Sequence, residues 1–347
     1  MRKKLVLLLL TITMAATTLL GCAKTSESTT IAEVGDHKIT ADIANFYLRY
    51  NQAQYETYYK SLLGDNMWDT EVSEGTTYAD TVKEQVLSNL ELMYVLEDHM
   101  KDYKVELTKE NEKEIEEATK AFLKENDEKT NQNISASESS VKEILKLLTI
   151  QSKMREAIIA DADTKVSDEE AKQKSMDYVM FSYTSTDDQG KQTKLSDEEV
   201  AALKEKAKAF REGALSAEDF KAYATEQGVE PQQATFDKEA TTPNEALVKA
   251  ADALGEGEVT EVVETDTGSF VAKVTSLHDE EATNKKKEEI VSERQSALYK
   301  EVTEAWKKDT KIKVNKKAWN KINIKDLNVT IYQKQSEETE SKQETDN

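Results

Sequence analysis

Cys22 is the only thiol in this 347-residue chain, and it stands where a run of apolar residues ends. With no second cysteine as a partner, its sulfur is left for covalent attachment, and packing alone must hold the protein together. The three imidazoles, His37, His99 and His278, are scattered along the sequence. They make no His-x-x-x-His or Cys/His spacing for zinc, so no metal site and no cofactor are expected. A Gly-rich phosphate loop and a Gly-x-Ser-x-Gly elbow are also missing, which leaves an enzyme of those classes with little support.

Arg2, Lys3 and Lys4 precede an apolar stretch from Leu5 to Leu20, and Gly21 is the small residue a signal peptidase needs before its cut. The stretch is short for a bilayer-spanning helix, which takes ~20 apolar residues. Residues 1–21 therefore read as an export signal that is removed. The order Leu19-Leu20-Gly21-Cys22 resembles the lipobox of bacterial lipoproteins. That resemblance implies a diacylglyceryl group on the Cys22 thiol and an anchor on the outer face of a bacterial cell membrane. Two acyl chains hold where one does not. An ordinary secretion signal, or a starting helix with a chance Cys, are the alternatives. Residues 22–30 read as a Ser/Thr-rich spacer behind the lipid.

The elements that follow are dominated by helix. Two prolines and ten glycines interrupt the chain, 33% of its residues are charged, and 37% are hydrophobic, enough for two cores. A net charge of -21 argues against nucleic acid and against an anionic membrane surface as partners. It suits solubility and basic or unfolded clients, or is simply a solvated surface.

Residues 31–165 read as a hairpin followed by helices. Ile31–Val34, a turn at Gly35 and Asp36, and Lys38–Ile39 make the hairpin, and Thr40 or Asp42 caps a helix carrying Phe46, Tyr47 and Tyr50. Val82, Val86, Leu90, Met93, Leu96 and Met100 mark one face of a second helix. Thr108 caps a third, without a full capping box because Asn111 occupies the position of Glu or Gln. Residues 126–140 read as a polar loop with Ile134 as its one large apolar residue, and 141–159 as another amphipathic helix.

A new unit, 166–279, opens with a helix from Ser167 and a strand at Tyr178–Phe181. A polar turn at 187–193, helices over 196–212 and 216–225, and strands over 259–263 and 269–274 joined at Asp266–Gly268 complete a small α/β unit with an antiparallel sheet. After a helix over 280–307, short extended pieces at Ile312–Val314 and Ile322–Ile324 can pair with the early hairpin. Residues 280–332 would then rejoin 31–165 in one helical domain, with 166–279 inserted. Residues 333–347 are acidic and expected to be disordered.

The order of these parts, with "IAEVGDHKIT", "LEDHMKDYKVELTKENEKEI", "VSDEEAKQKSMDYVMFSY" and "EGEVTEVVETDTGSFVAKV", resembles the PrsA foldase lipoproteins and the related SurA chaperones. The resemblance spans nearly the whole chain after Cys22. It implies an α+β protein in which a helical chaperone domain built from both ends cradles unfolded or newly exported polypeptides. A parvulin-type peptidyl-prolyl isomerase domain is then inserted between those ends, and the cradle is compatible with a homodimer.

The parvulin pattern also locates site residues. Its opening strand places Tyr178 at the position of a family His, and its closing strand, matched by Gly268–Val274, places Phe270 at the other His. Thr267 falls where many parvulins have Ser or Thr, and Glu230 is the nearest match to the family's Asp or Cys. Met180, Phe236, Leu247 and Leu254 stand where apolar residues bind the substrate, while Asp252 replaces the Phe of the proline pocket. Rotating an X-Pro bond means crossing ~18–20 kcal/mol by binding the twisted amide better than the planar one. With both histidines replaced and a charge at the ring pocket, the chain is expected to have weak or no isomerase activity. An active isomerase and a structural or adhesive lipoprotein remain as alternatives.

Overall fold

The computed structural model describes residues 12–18, 26–186 and 190–333. Cys22, the cut after Gly21, the start of the spacer and the acidic tail from 334 onward lie outside the described residues. Packing divides the chain into Met1–Ala162 with Ser296–Asn347, and Asp163–Gln295. Helix and antiparallel sheet occur in both, giving an α+β fold.

The first unit begins with β1 (Ile12–Thr18), β2 (Thr30–Val34) and β3 (His37–Thr40). It continues through α1 (Ala41–Leu63), a small hairpin of β4 (Glu71–Ser73) and β5 (Thr76–Thr77), and α2 (Tyr78–Asp98). Three more helices follow, α3 (Lys109–Glu125), α4 (Glu128–Asn133) and α5 (Glu138–Ile159). The α2 stripe read from the sequence is buried from Val82 to Leu96, because a 3.6-residue period sets those side chains on one face.

Two local expectations are corrected here. The α3 capping box is complete, since Asn111 Oδ1 accepts the Thr108 backbone N–H at 3.2 Å as a Glu would. The 126–140 segment is no open loop. Asp127 caps α4 by accepting from Thr130 N at 2.6 Å, and Ile134, fully buried, fastens the segment to the core.

The inserted unit contains α6 (Asp168–Ala171), far shorter than the helix expected after Ser167, then β6 (Lys174–Ser182), β7 (Thr184–Thr186), β8 (Gln192–Lys194) and α7 (Asp197–Ala214). Next come α8 (Phe220–Glu226), β9 (Gln232–Phe236), α9 (Glu245–Asp252), β10 (Val263–Glu264) and β11 (Gly268–Ser276). Its four-stranded sheet runs β10-β11-β6-β9, antiparallel throughout. The strand expected over 259–263 shrinks to β10, with Val259 making one isolated bridge to Lys273. The polar turn expected at 187–193 is partly paired, as β7 and β8 form a hairpin around it.

The return to the first unit is α10 (Glu280–Asp309), followed by β12 (Ile312–Val314), α11 (Lys316–Lys321) and β13 (Leu327–Gln333). The boundary falls inside α10, between Gln295 and Ser296, and not at 279/280. The early turns of α10 are tied to the inserted unit: Asp279 N–H donates to Gln173 O at 2.8 Å, Thr283 Oγ1 accepts from Gln173 N, and Lys287 and Arg294 pair with Asp168 and Glu170. From Leu298 to Trp306 the helix packs instead on Leu96, Ile150, Met154 and Ile158. Side chains fill the space between these helices along that stretch.

β12 pairs with β2, so residues far apart in sequence close a β12-β2-β3 sheet. Ile322 and Asn323 are extended as expected but join no sheet: they link α11, which holds Trp319 and is capped by Asn315, to a short 3-10 turn over Ile324–Asp326. Residues 12–18, read as part of a removable leader, form β1 and pair antiparallel with β13 from Ile12↔Gln333 to Thr18↔Leu327. The alternation of β13, Leu327, Val329, Ile331, is short and is followed directly in sequence by the polar run from Gln333, which hides the strand. Among the described residues no helix is long and apolar enough to cross a membrane.

Candidate functional site

β6 is apolar along most of its length because both of its faces are covered. Met176 and Tyr178 face one cluster with Phe236, Leu247, Phe270 and Val274, while Val179 and Phe181 face another with Phe210, Phe220 and Val271. Alternation along the strand assigns each residue its side. β11 lies alongside with Phe270↔Met180 and Ala272↔Tyr178 opposite one another. This register makes Tyr178 and Phe270 diagonal neighbours, with ring centroids 6.4 Å apart.

Tyr178 is nearly buried, and its hydroxyl donates to Gln232 Oε1 at 2.5 Å. Burial pushes its pKa above the ordinary tyrosine value. Gln232 stands directly opposite Tyr178 where β9 joins the sheet. Sequence reasoning named Glu230 for this neighbourhood and missed Gln232. The signal available was the alternation of Gln232–Phe236, which reads as a strand without fixing its register on β6.

Tyr178, Phe270, Met180, Phe236, Leu247 and Leu254 thus belong to one apolar cluster. Phe236 and Leu247 are fully buried within it, whereas Met180 and Leu254 reach the surface. Thr267 and Glu230 are not brought to it. Thr267 sits exposed in the β10–β11 turn, its carbonyl accepting from Tyr183 N at 2.9 Å and its N–H donating to Thr265 Oγ1. That level of β6 is five residues, about 16 Å, from Tyr178. Glu230 is exposed ahead of β9.

The charge expected in the ring pocket is drawn elsewhere. Asp252, at the end of α9, pairs with Lys174 at 2.9 Å, about 13 Å along β6 from Tyr178. Near that end of the strand a cleft of about 900 Å³ opens between Lys174, Asp237, Lys286 and Glu293, lined chiefly by charged and polar groups. Such walls suit water and ions, not a proline ring. One backbone requirement shapes the upper end: a Cβ on Gly268 would come 2.7 Å from Phe181 O and 2.9 Å from Met180 Cε.

The arrangement therefore offers an aromatic pair, one phenol–amide hydrogen bond and no ionised group at its centre. It can hold apolar side chains, and it has little with which to polarise an amide. Among the described residues no three metal-ligating side chains converge.

Residues 159–290, which include the whole β10-β11-β6-β9 sheet, match the family model described as the PPIC-type PPIase domain. Among solved structures, the foldase protein PrsA of Lactococcus lactis is 16% identical, covering 85% of this chain and 98% of that one, with a TM-score of 0.36. PrsA of Streptococcus pneumoniae is 18% identical, covering 73% and 98% at a TM-score of 0.31. A SurA-like chaperone of Campylobacter jejuni is 13% identical, covering 82% and 98% at 0.28. No curated protein sequence matches the chain.

Proposed function

We propose that this chain, which carries a parvulin-type peptidyl-prolyl isomerase domain between residues 159 and 290, is an extracytoplasmic foldase of the PrsA type with weak or no isomerase activity. The observation that carries the reading is the family match over the inserted unit, combined with Tyr178 and Phe270 packed as a tilted ring pair at the two histidine positions. The clients are unfolded or newly exported polypeptides. The leader and Cys22 support a lipid anchor on the outer face of the membrane, so that clients are met as they emerge.

Holding such clients needs no ATP. Weak contact at several points competes with aggregation, and a client is released once burial in its own core is more favourable. Of the four apolar positions named from the parvulin pattern, Met180 and Leu254 are the ones open to direct contact, because Phe236 and Leu247 are closed.

The test is isomerisation of a short X-Pro peptide by the protein lacking residues 1–22, beside aggregation of an unfolded client. Suppressed aggregation without acceleration is the expected result. Clear acceleration, abolished by Tyr178→Phe or Thr267→Ala, would make this an active isomerase. The absence of both effects would favour an adhesive lipoprotein.

A further inference from the structure

β13 is a strand held from one side by side chains. Val329 N–H donates to Glu56 Oε2 at 2.7 Å, Ile331 N–H donates to Thr57 Oγ1 at 2.9 Å, and Leu327 O accepts from Gln52 Nε2 at 2.5 Å. All three partners lie on α1. Successive residues of a strand turn their backbone groups to opposite edges. Asn328, Thr330 and Tyr332 therefore direct theirs the other way, to β1.

β1 lies in a seat that reads it from both edges. Along one edge it pairs with β13 over seven residues, and from the other its Met14 N–H donates to Asn126 Oδ1 at 2.7 Å. The Met14 side chain is buried in the main core of the unit, and Asn126 is held in place by its own amide donating to Phe122 O. The seated segment, Ile12–Thr18, carries no charge. It belongs to the stretch whose removal the proposed function requires.

We propose that, once residues 1–21 are removed, the vacated edge of β13 binds an extended, uncharged segment of an unfolded polypeptide as an added antiparallel strand. The leader segment stands in for that client. Main-chain pairing supplies affinity without demanding a sequence, and the Met14 position selects an apolar side chain. An open strand edge is otherwise a liability that folded proteins cover. Here the α1 side chains fix the opposite edge of β13 and keep the seat in shape when it is empty. This inference rests on the leader being cleaved.

The experiment uses the protein beginning at residue 23 and the peptide ITMAATT-amide carrying fluorescein through a Gly-Gly linker at its N-terminus, with binding followed by fluorescence anisotropy and by amide exchange. Binding is expected to slow exchange at Asn328 and Thr330. Methylation of the peptide nitrogens at the Ala15 and Thr17 positions, which removes two backbone hydrogen bonds to β13, is expected to weaken binding about tenfold. The full-length chain, already filled, is expected not to bind. No binding, binding without protection of β13, or equal binding by the full-length chain would each overturn the proposal. So would a β13 protected by dimerisation, or a chain that no longer melts cooperatively without residues 12–18. The N-terminal mass of the exported protein tests the cleavage separately, because the peptide result is obtained whichever N-terminus the cell makes.

Discussion

The carboxylate of Glu56 joins Trp68 to Val329: Oε1 accepts the indole Nε1–H at 3.0 Å, and Oε2 accepts the Val329 backbone N–H at 2.7 Å. Gln52 Nε2 donates to the same Oε1 at 2.7 Å. One side chain of α1 thus joins the 3-10 turn at Met67–Asp69 to the last strand of the unit. Its neighbour Arg49, also buried, donates to Asp326 at 2.6 Å and to Asn323 O at 3.0 Å. Burial pushes the Arg49 pKa down while Asp326 opposes the shift.

Glu56→Ala leaves two buried donors, the Trp68 indole N–H and the Val329 backbone N–H, without their acceptor, while Gln52 Nε2 keeps Ile324 O and Leu327 O. Each stranded donor costs about 1–3 kcal/mol, so a loss of about 3 kcal/mol is expected after partial relaxation. Denaturant unfolding monitored at Trp68 would read it. A change below about 1 kcal/mol would mean the donors find water.

Alkaline pH is expected to destabilise the first unit. Tyr47, Tyr50, Tyr94 and Tyr299 all have pKa values raised from the ordinary 10.0, chiefly by burial. The folded state holds these protons more tightly than the unfolded chain. Their contribution is therefore complete below pH 10 and declines as pH rises above it. Thermal melts between pH 8 and 11 should fall most steeply above 10, and Tyr94→Phe should flatten that fall.

Gly268→Ala places a methyl against Phe181 O and Met180. Overpacking of this kind costs about 2 kcal/mol, and the loss should appear in the inserted unit alone. Limited proteolysis with mass mapping would show cleavage within 163–295 first. Unchanged resistance would indicate that β6 and β11 slide apart freely.

Tyr178→Phe deletes the bond to Gln232 without opening a cavity. Because Gln232 is exposed, its freed oxygen turns to water, and a cost of about 1 kcal/mol is expected. Aggregation suppression should be unchanged, as measured by light scattering. A large loss of suppression would place client contact at Tyr178 itself.

What the sequence made legible was set by period and length. The α2 stripe from Val82 to Leu96, the 30 residues of α10, and the partnership of Ile312–Val314 with the first hairpin all carry periodic apolar signals strong enough to read. Hidden features were polar. Arg49, Gln52 and Glu56 recur at helical spacing and look like a solvated face, yet they are buried because β13 and the 3-10 turn before it lie against them. Asn111 serves in the capping box since a carbonyl oxygen is all the geometry needs. At the site, the Tyr178–Phe270 pairing followed from the strand alignment. Gln232 did not, because register between β6 and β9 is a tertiary fact.

The pairing of Val34 with Ile312 gives the protein a long delay before its first sheet can close. A chain delivered N-terminus first has residues 163–295 in hand well before β12 arrives, so the inserted unit can fold while one edge of β2 is still open. During that interval the protein is itself a client, with the apolar faces of α1 and α2 open to proteases. β12 and β13 are the last pieces to arrive, and by pairing with β2 and with the α1 side chains they act as the unit's closing latch.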